Sequence, residues 1–173
     1  MKPGLILIRI MVLIMIALNI TAEDEVQPPC SASEYNQFDF WLGHWTAYSI
    51  DGKEQGTNHL VKLMGNCALQ ENWSSGGGKF EGTSYNFYNQ VSKKWNQTWV
   101  DTSGSSLDLT GGLSYGSMRL SGNRIDEKGG TVIDRITWTP LEDGRVRQHW
   151  QASSDGGESW ADVFDGCYTK DVE

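Results

Sequence analysis

Turn signals that recur about every 8–12 residues are the feature of this sequence that most constrains its fold. Short stretches between them alternate polar and apolar residues, and helical periodicity is almost absent after residue 22. Asp-Gly and Gly-Gly pairs supply the positive φ angles that tight hairpins need. These signals predict turns at residues 51–53, 75–78, 103–105, 126–130, 142–144 and 155–157.

The alternating stretches predict about ten antiparallel strands, and their exposed edges must be hidden. Closing the sheet into a barrel removes the edges, whereas a β-sandwich usually needs a long crossover that this chain lacks. We therefore predict an all-β fold, a single antiparallel up-and-down β-barrel of about 8–10 strands with a short N-terminal helix at 31–37, capped by Ser31 and Ser33. The predicted strands are about 44–50, 56–64, 66–74, 79–88, 94–101, 106–111, 113–121, 131–139, 145–153 and 159–168.

The first 22 residues have the pattern of a secretory signal peptide: basic Lys2 and Arg9, an apolar run to Ile20, and Ala22 before an acidic patch. The apolar run is short for a retained membrane anchor, and two prolines before Cys30 disfavour a lipid-attachment site. The predicted organisation is a signal peptide at 1–22, an N-terminal arm and short helix at 23–37, and a barrel domain at 38–170. The predicted location is periplasmic or secreted, with no stable membrane anchor after cleavage.

Charge and cysteine content restrict the partners and the redox environment. Removing Lys2 and Arg9 lowers the formal net charge of −8 by two, and an acidic surface disfavours nucleic-acid binding. Three cysteines in an oxidising compartment leave one unpaired. We favour a Cys30–Cys67 disulfide, which would tie the N-terminal arm to an early strand. Cys167 would then be a buried thiol whose role the sequence leaves open, as it does the oligomeric state.

Residues 38–45 read FDFWLGHW, an aromatic stretch that ends in Gly-x-Trp at the entrance to the first strand. This resembles the calycin superfamily, the lipocalins and fatty-acid-binding proteins, and the nitrobindin-like barrels. The resemblance implies that the tryptophan plugs one end of a barrel below a ligand cavity and that the glycine allows a sharp bend. The predicted floor consists of Phe38, Phe40, Trp41, Gly43 and Trp45.

A closer resemblance is to a family of secreted bacterial proteins of unknown function that carry FDFWLGxW near the mature N-terminus. It extends through nearly the whole mature chain and includes Gly-Asn-Cys at 65–67, KWNQTWVD at 94–101, RITWTP at 135–140 and DGRVRQHW at 143–150. It implies a calycin-like fold and no particular reaction. Cys167 stands where this pattern has an apolar residue before the terminal tyrosine.

Three motifs need separate interpretation. SSDGGESW at 153–160 resembles the Asp-box, a structural hairpin motif. Gly112-Leu113-Ser114-Tyr115-Gly116 matches a nucleophile elbow, but the surrounding hairpin sequence lacks the strand-to-helix context. The three histidines lack metal-site spacing, so we predict no metal and no cofactor. A haem bound through His149 is retained as an alternative, as in nitrobindin-like barrels.

Polar residues interleaved with tryptophans predict a mixed aromatic–polar cavity, because side chains alternate across a barrel wall. On strand 145–152 the sequence does not decide which face is inside. The alternative is that the tryptophans simply fill the barrel. The predicted ligand-binding residues are Glu71, Trp73, Gln97, Trp99, Trp138, Arg147 and Trp150.

The function predicted first is binding of a small apolar or amphipathic ligand, and a barrel with no cavity above roughly 300 Å³ would count heavily against it. The second is an enzyme on the same barrel that does acid–base chemistry, such as an isomerase, cyclase or hydratase. Its candidate catalytic residues are Glu71, Asp101, Asp134 and His149. A surface or envelope interaction protein without a pocket is the third. Whether the protein is an enzyme stays uncertain at this level.

Overall fold

The computed structural model describes residues 27–172, and the predicted signal peptide at 1–22 lies outside the described residues. The described chain forms a closed, ten-stranded antiparallel barrel in which successive strands are neighbours, so the predicted fold class is confirmed. The strands are β1 (Gly43–Ser49), β2 (Glu54–Leu63), β3 (Ala68–Ser75), β4 (Glu81–Asn89), β5 (Lys94–Asp101), β6 (Ser106–Ser114), β7 (Ser117–Ile125), β8 (Thr131–Pro140), β9 (Val146–Ser153) and β10 (Ala161–Lys170).

Two short 3₁₀ helices precede the barrel, at Ser33–Asn36 and Asp39–Trp41. The predicted helix at 31–37 is therefore shorter than expected. Its N-cap is Ala32, and no side chain caps it, so the prediction that Ser31 and Ser33 act as caps was wrong. A backbone hydrogen bond from Tyr35 N to Ala32 O closes the first turn instead.

The β6–β7 hairpin turns later than predicted. The sequence placed the break at Gly112, but β6 continues to Ser114 and the turn consists of Tyr115 and Gly116. Both turn residues have positive φ, 49° and 78°. Gly112 has ordinary strand geometry. A glycine within a strand does not by itself indicate a turn, and this is why the predicted break was too early.

The barrel closes through hydrogen bonds between β1 and β10, where Trp45 lies opposite Lys170. One end is filled by the N-terminal segment, and we call it the plugged end. The hairpins at the other end surround a partly exposed aromatic rim, and we call this end the mouth. These mouth hairpins are residues 50–53, 76–80, 102–105, 126–130 and 154–160.

Aromatic side chains form the floor at the plugged end. Phe38 and Trp41 are fully buried and stack with ring centroids 5.2 Å apart. Trp138 packs against both rings at 5.2 Å, and Trp45 donates a hydrogen bond from Nε1 to the Trp41 carbonyl at 2.9 Å. Phe40 is half-buried and packs against this cluster. An aromatic side chain buries roughly 150–250 Å², so this cluster contributes much of the core.

Gly43 provides the bend from the N-terminal segment into β1. Its φ of +117° lies in a region that L side chains rarely adopt. A Cβ at this position would also lie 2.9 Å from Lys170 Cε, whose side chain places Nζ 5.4 Å from the centre of the Trp45 ring. The backbone conformation and the close neighbour both favour glycine here.

A disulfide joins Cys30 to Cys67, as predicted, and ties the N-terminal arm to the turn between β2 and β3. Cys167 is free. The expectation that its thiol would be buried was wrong, because Cys167 is only partly buried and lies one residue before the inward-facing Tyr168 on β10. Alternation along the strand therefore turns it to the outer surface.

The SSDGGESW segment forms the mouth hairpin between β9 and β10. Asp155 accepts hydrogen bonds from the Ser159 hydroxyl, the Ser159 backbone N–H and the Ser153 hydroxyl, and these bonds hold the pKa of its carboxyl well below the usual range. Trp160 donates to the Gly157 carbonyl at 3.1 Å and stacks under the Arg135 guanidinium. The motif thus builds a turn and contributes nothing to the cavity lining.

Candidate functional site

A cavity of about 210 Å³ lies inside the barrel between the aromatic floor and the mouth. It is below the roughly 300–1,000 Å³ of pockets for drug-sized ligands and below the size that we expected. Most of its surface is aromatic or aliphatic, and a few polar groups converge on it. The lining residues are Glu71, Trp73, Phe80, Gln97, Trp99, Asp101, Leu107, Ile136, Trp138, Gln148, Trp150, Phe164 and Tyr168.

Glu71 is the central polar group of the cavity, and only 5% of its surface is exposed. Its Oε1 accepts a hydrogen bond from Asn58 Nδ2 at 2.8 Å. Its Oε2 accepts one from the Ser84 hydroxyl at 2.6 Å and a longer one from Gln97 Nε2 at 3.5 Å. The four side chains come from β2, β3, β4 and β5, which are successive neighbours in the sheet. The inward alternation of four adjacent strands therefore assembles the cluster.

Burial raises the pKa of Glu71 to about 7, although the hydrogen bonds from Ser84 and Asn58 act to lower it. The ionised and neutral carboxyl are thus close in free energy near neutral pH. A group with this property inside an aromatic cavity is typical of functional sites.

Tyr168 lies across the base of the cavity and donates a hydrogen bond from its hydroxyl to Gln148 Oε1 at 2.6 Å. Burial, and secondly the nearby Glu71 carboxylate, raise the pKa of Tyr168 well above 10. Its phenol is therefore a neutral hydrogen-bonding group at any physiological pH.

Two carboxylates fix the tryptophans of the wall. Asp101 accepts a hydrogen bond from Trp99 Nε1 at 3.0 Å, and Asp134 accepts one from Trp150 Nε1 at 2.7 Å. Asp134 is fully buried and also accepts a bond from Arg124 Nε at 2.7 Å. Both indoles are held by charge-assisted bonds, so the wall is preorganised.

The structure brings most of the sequence-predicted residues to the cavity. Two of the candidate catalytic residues, Asp134 and Asp101, bind tryptophan side chains of the wall. Asp134 lies behind the wall as a partner of Trp150 and does not line the cavity. Asp101 lines the rim, where burial acts to raise its pKa but the bonds from Ser103 and Trp99 outweigh this and lower it. The predicted residues that line the cavity are Glu71, Trp73, Gln97, Trp99, Asp101, Trp138 and Trp150.

Arg147 and His149 lie on the outer surface, so the prediction that Arg147 lines the cavity was wrong. Strand β9 turns Gln148 and Trp150 inward, and alternation points the residues between them outward. Arg147 forms a two-pronged ion pair with Asp165, and His149 Nε2 lies 2.8 Å from Asp162 Oδ1. From this position His149 does not reach the cavity as a catalytic group or as a haem ligand.

Sequence reasoning missed several functional candidates. The polar partners of Glu71, namely Asn58 and Ser84, are single small residues in otherwise ordinary strands. Each lies two residues from a buried neighbour on its strand, as Asn58 does from Leu60. This alternation is the signal that places their side chains on the inner face of the barrel. The missed lining residues are Phe80, Leu107, Ile136, Gln148, Phe164 and Tyr168.

The nucleophile-elbow match at 112–116 has no catalytic geometry. Ser114 is the exposed last residue of β6 in an antiparallel hairpin, and Asp134 is engaged by Trp150 and Arg124. Among residues 27–172 there is also no cluster of three or more His, Cys, Asp or Glu side chains arranged to hold a metal ion. Within the same range no helix is long and apolar enough to span a bilayer.

Comparison with known proteins leaves the resemblance drawn from FDFWLGxW as a prediction. No protein-family model and no curated protein matches this chain.

Proposed function

We propose that this barrel binds a small apolar or amphipathic ligand in the cavity above the aromatic floor. The observation that carries the proposal is the combination of fixed indole walls, at Trp99 and Trp150, with a hydrogen-bonding base at Glu71, Gln97 and Gln148. A buried carboxyl whose pKa is raised to about 7 beside a cavity is a common feature of binding and catalytic sites.

The size of the cavity restricts the ligand. A volume of about 210 Å³ is too small for a drug-sized molecule or a long acyl chain held entirely inside the barrel. It suits a molecule with about one aromatic ring and a short polar substituent. The Cys30–Cys67 disulfide supports a periplasmic or secreted location, because such bonds persist in oxidising compartments.

A blocked-cavity variant tests the binding function. Ile136 lines the cavity on β8, and Ile133 lies on the opposite face of the same strand. Ile136→Phe is expected to fill the cavity, and Ile133→Phe is the matched control. Single-ring fragments at millimolar concentration should quench the tryptophan fluorescence of the wild type and of Ile133→Phe but not of Ile136→Phe. Equal quenching in all three folded proteins, or none in the wild type, would contradict the proposal.

An acid–base enzyme is the second candidate, and the titration of Glu71 near neutral pH favours it. Glu71 would transfer a proton to or from a substrate seated against Trp99 and Trp150. The test is deuterium uptake next to the carbonyl of phenylacetone in heavy water, followed by NMR. Glu71→Gln should lower an enzymatic rate by about 10²–10⁴-fold. Uptake no faster than in buffer would rule out this chemistry for that substrate class.

A further inference from the structure

The charged side chains that line the cavity are all acidic. Glu71 and Asp101 are carboxyls, and none of the described residues that line the cavity is Lys, Arg or His. Arg124 is bound to Asp134 behind Trp150 and is not part of the lining. A ligand that carries a carboxylate or phosphate would meet like charge here without a compensating cation.

The cavity wall adds a second property that favours cations. Trp73, Trp99 and Trp150 line the cavity together with Phe80 and Phe164, so the space above Glu71 is surrounded by ring faces and edges. Aromatic rings attract ammonium groups through their quadrupole, and tryptophan does so most strongly. The negative net charge of the chain further raises the local concentration of cations.

From these observations we infer that the ligand is a small amine, with an aromatic or aliphatic body between the tryptophans and an ammonium group at Glu71. The inference rests on the proposed binding function and specifies its ligand class. Glu71 supplies the countercharge.

The binding experiment uses three probes of nearly equal shape, phenylethylamine, phenylethanol and phenylacetate. An alkyl ammonium group keeps its proton to about pH 10, so phenylethylamine is a cation throughout the range used. At pH 8, calorimetry is expected to give an affinity for phenylethylamine at least about tenfold above that for phenylethanol. Phenylacetate is expected not to bind.

The pH dependence identifies the countercharge. Among the lining residues the titratable groups are Glu71, Asp101 and Tyr168, and the pKa of Asp101 is lowered while that of Tyr168 is raised well above 10. The other side chains packed on Glu71 are Asn58, Ser84 and Gln97, which do not titrate. Between pH 6 and pH 8 the affinity for phenylethylamine should rise about tenfold as Glu71 loses its proton. The affinity for phenylethanol should not rise.

Glu71→Gln is expected to remove both the preference for the amine and its pH dependence. Glu142→Gln, in the hairpin at the plugged end, changes the net charge equally and should behave as the wild type. If Glu71→Gln fails to fold, the wild type at pH 6 against pH 8 performs the same comparison without a substitution.

The outcomes separate this inference from the binding function. Equal affinity for the amine and the alcohol, or tighter binding of phenylacetate, overturns the inference and leaves the binding function intact. Binding of none of the three probes by the folded wild type also overturns it, and the fragment test with Ile136→Phe then decides the binding function independently.

Discussion

The indole of Trp99 packs over Gly82 on the neighbouring strand, closer than it could approach any residue that has a Cβ atom, although the register partner of Trp99 is Ser84. The ring has little freedom to withdraw, because Asp101 holds its Nε1 at 3.0 Å. The absence of a side chain at Gly82 on β4 thus allows the Trp99 indole to occupy its position in the cavity wall.

Gly82→Ala is therefore expected to displace Trp99 and to lower the free energy of unfolding by about 1–3 kcal/mol, the usual range for overpacking. Urea unfolding followed by tryptophan fluorescence measures the change. Gly112→Ala is the control, because a Cβ at Gly112 meets nothing within 4 Å. If both variants unfold at the same urea concentration as the wild type, Trp99 does not pack over Gly82.

The buried carboxyl of Glu71 should reduce stability at high pH. Its pKa is about 7 in the folded state against about 4.5 in the unfolded chain, so folding is most favourable below pH 4.5 for this group and weakens as the pH rises to 7. Glu71→Gln removes this dependence. Relative to the wild type, the variant should gain on the order of 3 kcal/mol between pH 4.5 and pH 8. Asn58 can present its unpartnered Oδ1 to the new amide.

Urea denaturation of both proteins at several pH values measures this difference, and Glu142→Gln controls for the loss of one charge. A constant difference between wild type and Glu71→Gln across this range would show that Glu71 titrates normally.

Asp134 is expected to stabilise the fold by binding the indole of Trp150. Asp134→Ala leaves Trp150 Nε1 and Arg124 without their buried acceptor, and hydrogen bonds to charged groups contribute roughly 1.5–3 kcal/mol each. We expect a loss of about 2–3 kcal/mol and a weaker near-ultraviolet dichroism signal from Trp150. Asp143→Ala, which breaks an exposed pair with Arg145, should leave the unfolding midpoint close to that of the wild type. An unchanged midpoint in Asp134→Ala would contradict the buried contact.

The disulfide should stabilise the fold by restraining the unfolded chain. Cys30 and Cys67 are separated by 37 residues, and closing a loop of that length contributes about 3–4 kcal/mol in the chain-entropy model. The double variant Cys30→Ser/Cys67→Ser should lose this amount in urea denaturation, and Cys167→Ser should not. Addition of a reductant should bring the wild type to the stability of the double variant. A double variant as stable as the wild type would mean that the loop is already restrained without the bond.

Turn chemistry made the fold predictable from the sequence. Asp-Gly and Gly-Gly pairs at positions such as 51–52 and 156–157 set the strand lengths, and a chain of hairpins without crossovers favours closure. On β5 the alternation of Trp95, Gln97 and Trp99 with exposed polar residues identified the inner face. The Cys30–Cys67 disulfide was predicted because it would tie the N-terminal arm to an early strand, and the structure contains it.

The inner face of β9 could not be predicted, because both of its faces combine polar and apolar character. One face carries Gln148 and Trp150, and the other carries Arg147 and His149. The choice depends on partners on other strands: Asp134 for Trp150, and the outer carboxylates Asp165 and Asp162 for the second face. Such long-range pairs leave no local pattern. Asn58 and Ser84, the missed partners of Glu71, differ from this case, because their period-two phase with buried neighbours places them on the inner face.

The pairing of β1 with β10 also determines the orientation that the protein would take when immobilised on a solid surface through its C-terminal end. The N-terminal arm and the residues after Lys170 both leave the barrel beside the aromatic plug. A linker fused behind Asp171 would therefore orient every immobilised copy with its mouth toward solution, and tryptophan emission from such a layer could report small-molecule entry without an added label.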